Sequence, residues 1–217
     1  MKFSMIYFTS AALAMLFLLS VSCAKQEVPE AEAPPARGER DRVMSELHAS
    51  RKLLLDATAS IGEEKFKSPM GENRPSPSEA VEALIIRERN LLTAMGASTL
   101  GPETAEAEPE GLSREERQAR AAEAARKIQS AVDGCVAKIG TDGFRVIPNP
   151  ANLAAADLAQ GFRAARDANL AFVRETDYNL RRRTVKDGAC GDIDLMTAMM
   201  LQSALTTNVA EMVTAAK

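Results

Sequence analysis

Ser76–Gly96 reads SPSEAVEALIIRERNLLTAMG. Its first four residues carry two helix-start signals together. Ser76 can act as an N-cap, Pro77 has the fixed φ suited to the first helical position, and Glu79 can reach back to close a capping box. Val81, Leu84, Ile85, Leu92 and Met95 then recur at helical spacing and make one apolar stripe. Gly96 stops the run, and Gly101-Pro102 follows. The stretch predicts an amphipathic helix that must bury one face.

The same test works outward in both directions. Downstream, Ser113 to Glu116 is a second capping box. The helix it opens is polar for three turns, with Glu116/Arg120 and Glu123/Lys127 at the favourable four-residue spacing. Its apolar face is Ala121, Ala125, Ile128, Val132, Val136 and Ile139, and Gly140 ends it. Upstream, Glu39 to Ile61 places Val43, Leu47, Leu54 and Ile61 near one face, and Gly62 closes it. Ala151 to about Arg181 shows a broad face of Leu158, Phe162, Ala165, Phe172 and Leu180, with Gly161 as a point of bending or division. Ile193 to Ala216 is apolar nearly all round and contains Met196, Met199 and Met200, which predicts the buried centre of a bundle. Gln202, Thr206, Thr207, Asn208 and Glu211 argue against a membrane span there.

Between these segments lie breakers. KSPMGENRPSPS (67–78), GPETAEAEPEG (101–111) and GTDGFRVIPNP (140–150) read as loops, the last with a short extended piece at 144–147. KDGACGD (186–192) reads as a turn. The chain has 217 residues, of which 46% are apolar and only 4% aromatic. Alanine fills much of the apolar share, which favours close-packed helices over a sheet. The expected fold is all-α: an irregular bundle of four or five helices over residues 39–217. The formal net charge of −3, with both signs mixed, speaks against nucleic acid as a partner.

The N-terminal end has a different character. Lys2 precedes an apolar run from Met5 to Val21, interrupted only by Thr9, Ser10 and Ser20, and small Ser22 then leads into Cys23. This is the layout of a secretory signal peptide over residues 1–22. The run, about 17 residues, also sits at the lower edge of what spans a bilayer, so an uncleaved anchor is the alternative. Residues 24–38, AKQEVPEAEAPPARG, hold Pro29, Pro34 and Pro35 and few apolar groups, which predicts a flexible tether. Extended, it reaches about 45 Å.

Leu19-Ser20-Val21-Ser22-Cys23 resembles the lipobox of bacterial lipoproteins. The resemblance covers residues 1–24. It implies cleavage before Cys23 and acylation of that cysteine, and each buried CH₂ of such a chain adds about 0.8 kcal/mol of membrane affinity. The family usually has Leu where this chain has Ser20. Ser22 and Ala24 also form a small-x-small pair that the ordinary signal peptidase could use after Ala24. Ala24, in place of Asp, implies the outer membrane by the sorting rule of enterobacterial members. Residues 23–38 then form a lipidated tether, and the membrane and another envelope or surface protein are the expected partners. The oligomeric state and the choice of periplasmic or surface face stay open.

With Cys23 acylated, Cys135 and Cys190 remain as an even pair in an oxidising compartment, which permits a disulfide. The alternative is two separate buried thiols. A plain up-down bundle opposes the bridge, because an unbroken helix of about 30 residues spans about 45 Å and a disulfide holds its Cα atoms about 5.5 Å apart. Either that helix breaks near Gly161, or residues 182–190 fold back, or the bridge is absent. The break is the reading adopted here.

Catalytic signatures are missing from the sequence. His48 lies in the polar stretch SELHASRK without a nucleophile elbow, and reads as a solvated surface histidine. The spare cysteines form no CxxC, and no P-loop or GxGxxG occurs. GTDGF and DGACGDID lack calcium-loop spacing. No catalytic residue, metal site or cofactor is therefore assigned. The cluster Arg181, Arg182, Arg183 and Lys186 reads either as a contact for an anionic surface or as a helix C-terminus, where cations are favourable. Met196–Met200 reads as core, with an adaptable groove as the alternative. The expected function is a membrane-anchored envelope lipoprotein that acts as a non-catalytic interaction or structural protein. The alternatives are an envelope enzyme acting on cell-wall glycan and a carrier of lipid or another small ligand.

Overall fold

Helix α1 spans Arg37–Ala59, α2 Glu63–Lys67, α3 Pro77–Gly96, α4 Arg114–Ile139, α5 Ala155–Glu175 and α6 Leu195–Ala215. Three short strands, β1 (Thr99–Leu100), β2 (Arg183–Asp187) and β3 (Gly191–Asp194), form one antiparallel sheet in that order. In this computed structural model the described residues are 37–72, 74–101, 111–140, 142–144 and 153–217. The apolar N-terminal segment, Cys23 and the stretch from 24 to 36 lie outside them, as do residues 145–147 of the expected extended piece. Phe144 ends a short 3₁₀ turn, Asp142–Phe144. The first helix begins at Arg37, inside the segment expected to be tether.

The chain is mostly helical, and the two capping boxes form as read. Ser76 accepts from the Glu79 amide while the Glu79 carboxylate accepts from the Ser76 amide, and Ser113 and Glu116 repeat the arrangement. α6 is the centre of the packing. It lies against α1, α3, α4 and the hairpin of β2 and β3, and α5 packs on α1 and α3. Leu195, Met196, Met199, Leu201, Leu205, Val209 and Val213 are all buried along α6. The Met-rich stretch is core.

Three expectations need correction. The described residues hold six α-helices where four or five were expected, because EEKFK forms the short α2, whose Phe66 is fully buried. They also hold a sheet, which an all-α class leaves out. And α5 is not broken at Gly161. It runs unbroken through that residue, and a side-chain Cβ placed there would lie 3.4 Å from Ile85 Cδ1 on α3. The glycine permits close approach of two helices.

α5 stops early instead, at Glu175. Thr176 is extended and its hydroxyl accepts from the Tyr178 amide. The Asn179 side chain accepts from the Arg181 amide, and the Leu180 carbonyl accepts from Met196 at the start of α6. The chain thus turns back and pairs as β2 and β3. Asp187 Oδ1 holds the hairpin turn by accepting from the Ala189 and Cys190 amides. Gly191 closes it at φ +77°, a conformation that favours glycine. Asp194 then ends β3 and caps α6 through the Thr197 amide.

Candidate functional site

The most heavily built polar assembly is buried in the middle of the bundle. Arg166 on α5 and Glu88 on α3 form an ion pair at 2.6 Å, with neither side chain exposed. The guanidinium also donates to the Leu47 carbonyl and the Ser50 hydroxyl on α1, each at 3.1 Å, and to Thr206 Oγ1 on α6 at 2.7 Å. Asn169 donates to both the Glu88 carbonyl and its carboxylate. Gln202 donates to Glu88 Oε1 at 3.4 Å, and the Phe162 ring lies under the guanidinium at 5.2 Å. Burial pushes the Arg166 pKa down, and the Glu88 carboxylate pushes it back up. A guanidinium stays charged against such forces, so this is a paired ionic core. Its geometry joins four helices.

Sequence reasoning passed over these residues, although a signal was present. Glu88 stands seven residues after Val81 and four after Leu84, on the apolar stripe of its helix. Arg166 stands four after Phe162 in the same way. A charge on a stripe that must be buried needs a partner there.

A groove of about 950 Å³ opens on another part of the molecule. Val136 near the end of α4, Phe144, and Met212, Ala215 and Ala216 at the end of α6 form its apolar lining, with Pro69 and Met70 from the loop after α2. Lys65 on α2 and Arg74 supply two cations, and Asn208 and Glu211 come from α6. Among the described residues neither cationic side chain has an ion-pair or hydrogen-bond partner. Phe66 and Phe144, both nearly inaccessible, fix α2 and the 3₁₀ turn on the bundle, and so hold two walls of the groove.

A smaller cavity of about 200 Å³ lies between α3, the hairpin and α6. Arg87, Asn90, Lys186, Asp187 and Gln202 line it together with Leu91 and Leu201. Arg87 donates to Asp187 at 2.9 Å.

The basic cluster does not sit where the helix-end reading puts it. It is not a helix end: Arg183 and Lys186 are on β2, and Arg181 and Arg182 are in the turn before it. Arg181 pairs with Glu39 at 2.5 Å, and Arg183 donates to the Ser98 carbonyl and stacks over Tyr178 at 4.1 Å. Lys186 is exposed. Much of the cluster therefore holds the hairpin to α1 and β1. Glu39 has its pKa raised, first by burial, with Arg181 opposing and Asp194 adding to the rise. Both carboxylates have structural partners, Arg181 for Glu39 and Thr197 for Asp194.

Cys135 and Cys190 are brought together. Their Cα atoms lie 5.4 Å apart and their sulfurs pair. The fold-back of residues 176–190 achieves this, not a break in α5. His48 is exposed beside Arg51. Among the described residues no group of His, Cys, Asp or Glu could hold a metal ion, and no helix is long and apolar enough to cross a membrane. Comparison of the chain with family models, curated proteins and solved structures found no match.

Proposed function

We propose that this chain is an exported bacterial lipoprotein, acylated at Cys23 and held at the outer membrane, whose helical body acts by binding and not by catalysis. One observation carries the anchoring part: an apolar run ends at a small residue and a cysteine, and the Pro-rich stretch follows at once. The body then stands off the bilayer on residues 24–36 and meets another envelope or surface protein. In the oxidising compartment this implies, Cys135 and Cys190 are disulfide-bonded, which the 5.4 Å separation of their Cα atoms allows.

The groove favours a second reading of the body, as a carrier of lipid or another small ligand. Its volume of about 950 Å³ and its apolar lining with a few polar groups suit such a ligand.

Metabolic labelling with a palmitate analogue tests the anchor. The wild-type chain takes up label and fractionates with membranes, and Cys23→Ser does neither. Label on the serine variant, or none on the wild type, rejects the assignment.

A further inference from the structure

We infer that the groove binds a single-chain anionic amphiphile, with its apolar body against Met70, Val136, Met212 and Ala216 and its acidic head at Lys65 and Arg74. This deepens the carrier reading and rests on it. Three observations converge. The first is size: about 950 Å³ is at the upper end of the range for a site that takes one small molecule, so it suits one acyl chain with its head group. The second is lining. Burying a methylene against such a surface contributes about 0.8 kcal/mol, so an extended alkyl chain gains affinity along its length.

The third is charge, and it selects the head group. Among the described residues that line the groove, Lys65 and Arg74 put two positive groups against the one carboxylate of Glu211. Among the described residues the cations have no other engagement, so a ligand acid does not compete with an internal ion pair. An ammonium head would meet a net positive rim and be repelled. A neutral head could accept a hydrogen bond from either cation but would gain no charge attraction. Arg74 can offer a carboxylate or phosphate two parallel N–H donors, and Lys65 adds a point charge.

The test uses the exported chain carrying Cys23→Ser, which has no acyl group whether or not the wild type is lipidated. Failure here is thus separate from failure of the anchor. The probe is cis-parinaric acid, a fluorescent long-chain carboxylate, titrated below its micellar concentration. The expected result is saturable binding at one molecule per chain. Palmitate and an alkyl phosphate of equal length displace the probe. A monoacylglycerol and an alkyl trimethylammonium do so at least tenfold less well. The double variant Lys65→Glu/Arg74→Glu weakens binding at least tenfold with an unchanged melting temperature, since both side chains are exposed and unpaired among the described residues. Ala215→Trp, at an exposed position lining the groove, blocks it. Equal displacement by neutral, cationic and anionic compounds overturns the proposal. So does full affinity in the charge-reversed variant. Binding to phosphatidylglycerol vesicles without binding to monomeric probe also overturns it, because the chain would then be reading a membrane surface.

Discussion

Arg166 and Glu88 face each other at 2.6 Å in the interior of the bundle, on α5 and α3, and neither side chain is exposed. Such a pair gives little net stability relative to well-packed apolar residues, because desolvation offsets the attraction. We infer that its role is discrimination between packings. The guanidinium bonds α1, α3 and α6 at once, so a sliding of any of these helices against α5 would strand a buried charge.

Removing one partner should therefore be costly. Arg166→Leu leaves the Glu88 carboxylate buried without its counter-charge and should lose about 3–5 kcal/mol in urea unfolding. Arg166→Lys should recover little, since a single ammonium cannot reach the Leu47 carbonyl, Ser50, Glu88 and Thr206 together. A loss below about 1 kcal/mol for the leucine variant would mean that water enters the network.

The two capping boxes should give different readouts. Ser76 is buried and opens a helix packed on the core, so Ser76→Ala should lower global stability by about 1 kcal/mol. Ser113 opens a helix whose first turns are exposed. Ser113→Ala should leave the global transition within about 0.5 kcal/mol of wild type and speed amide exchange in those turns. Equal shifts in both variants would show that the start of α4 unfolds only with the core.

That same helix start also carries a pH signature. The Ser113 amide donating to the Glu116 carboxylate, and then the Ser113 hydroxyl, hold its pKa below the ordinary 4.5. A depressed carboxyl pKa stabilises the fold above the ordinary value, and the contribution disappears as pH falls through the lower folded value. An NMR titration should find the Glu116 midpoint below 4.5, moving upward in Ser113→Ala. A midpoint at or above the ordinary value would refute the box as a solution feature.

The cysteine pair makes a fourth case. Mass spectrometry of non-reduced peptides should recover Cys135 linked to Cys190. Reduction should then lower the melting temperature, because a 55-residue separation corresponds to about 4 kcal/mol of chain entropy. Two free alkylated thiols in periplasmically produced protein would exclude the bridge.

The helices of this fold are legible because their signals are local. Ser76-Pro77-Ser78-Glu79 starts α3 by contacts among its own residues, and Val81, Leu84 and Ile85 state which face is buried. The sheet is much harder to read. In β2 only Val185 is buried, β1 has two exposed residues, and no alternation is long enough to register. The strands exist because the fold-back of 176–182 delivers them to the edge of the bundle, a tertiary cause. Cys135 and Cys190 were visible as an even pair, but their meeting depended on where α5 ends. The groove was least visible of all: Lys65, Arg74, Val136 and Met212 lie on four separate segments, and only packing assembles them.

The twenty-six residues of α4 do not share one fate. From Arg114 to Glu123 every residue is exposed, and the first buried side chain is Ile128. Unwinding from the N-terminal end down to Lys127 therefore surrenders helical hydrogen bonds and surface charge pairs such as Glu123–Arg126, but almost no apolar area. From Ile128 onward each further turn exposes a core residue. Amide protection along this single rod should rise as a staircase, with rapid exchange in its first half and exchange close to the global unfolding rate beyond Val132. A protease able to grip a helix would find its foothold on the outer half, and would stop where the inner half meets α6.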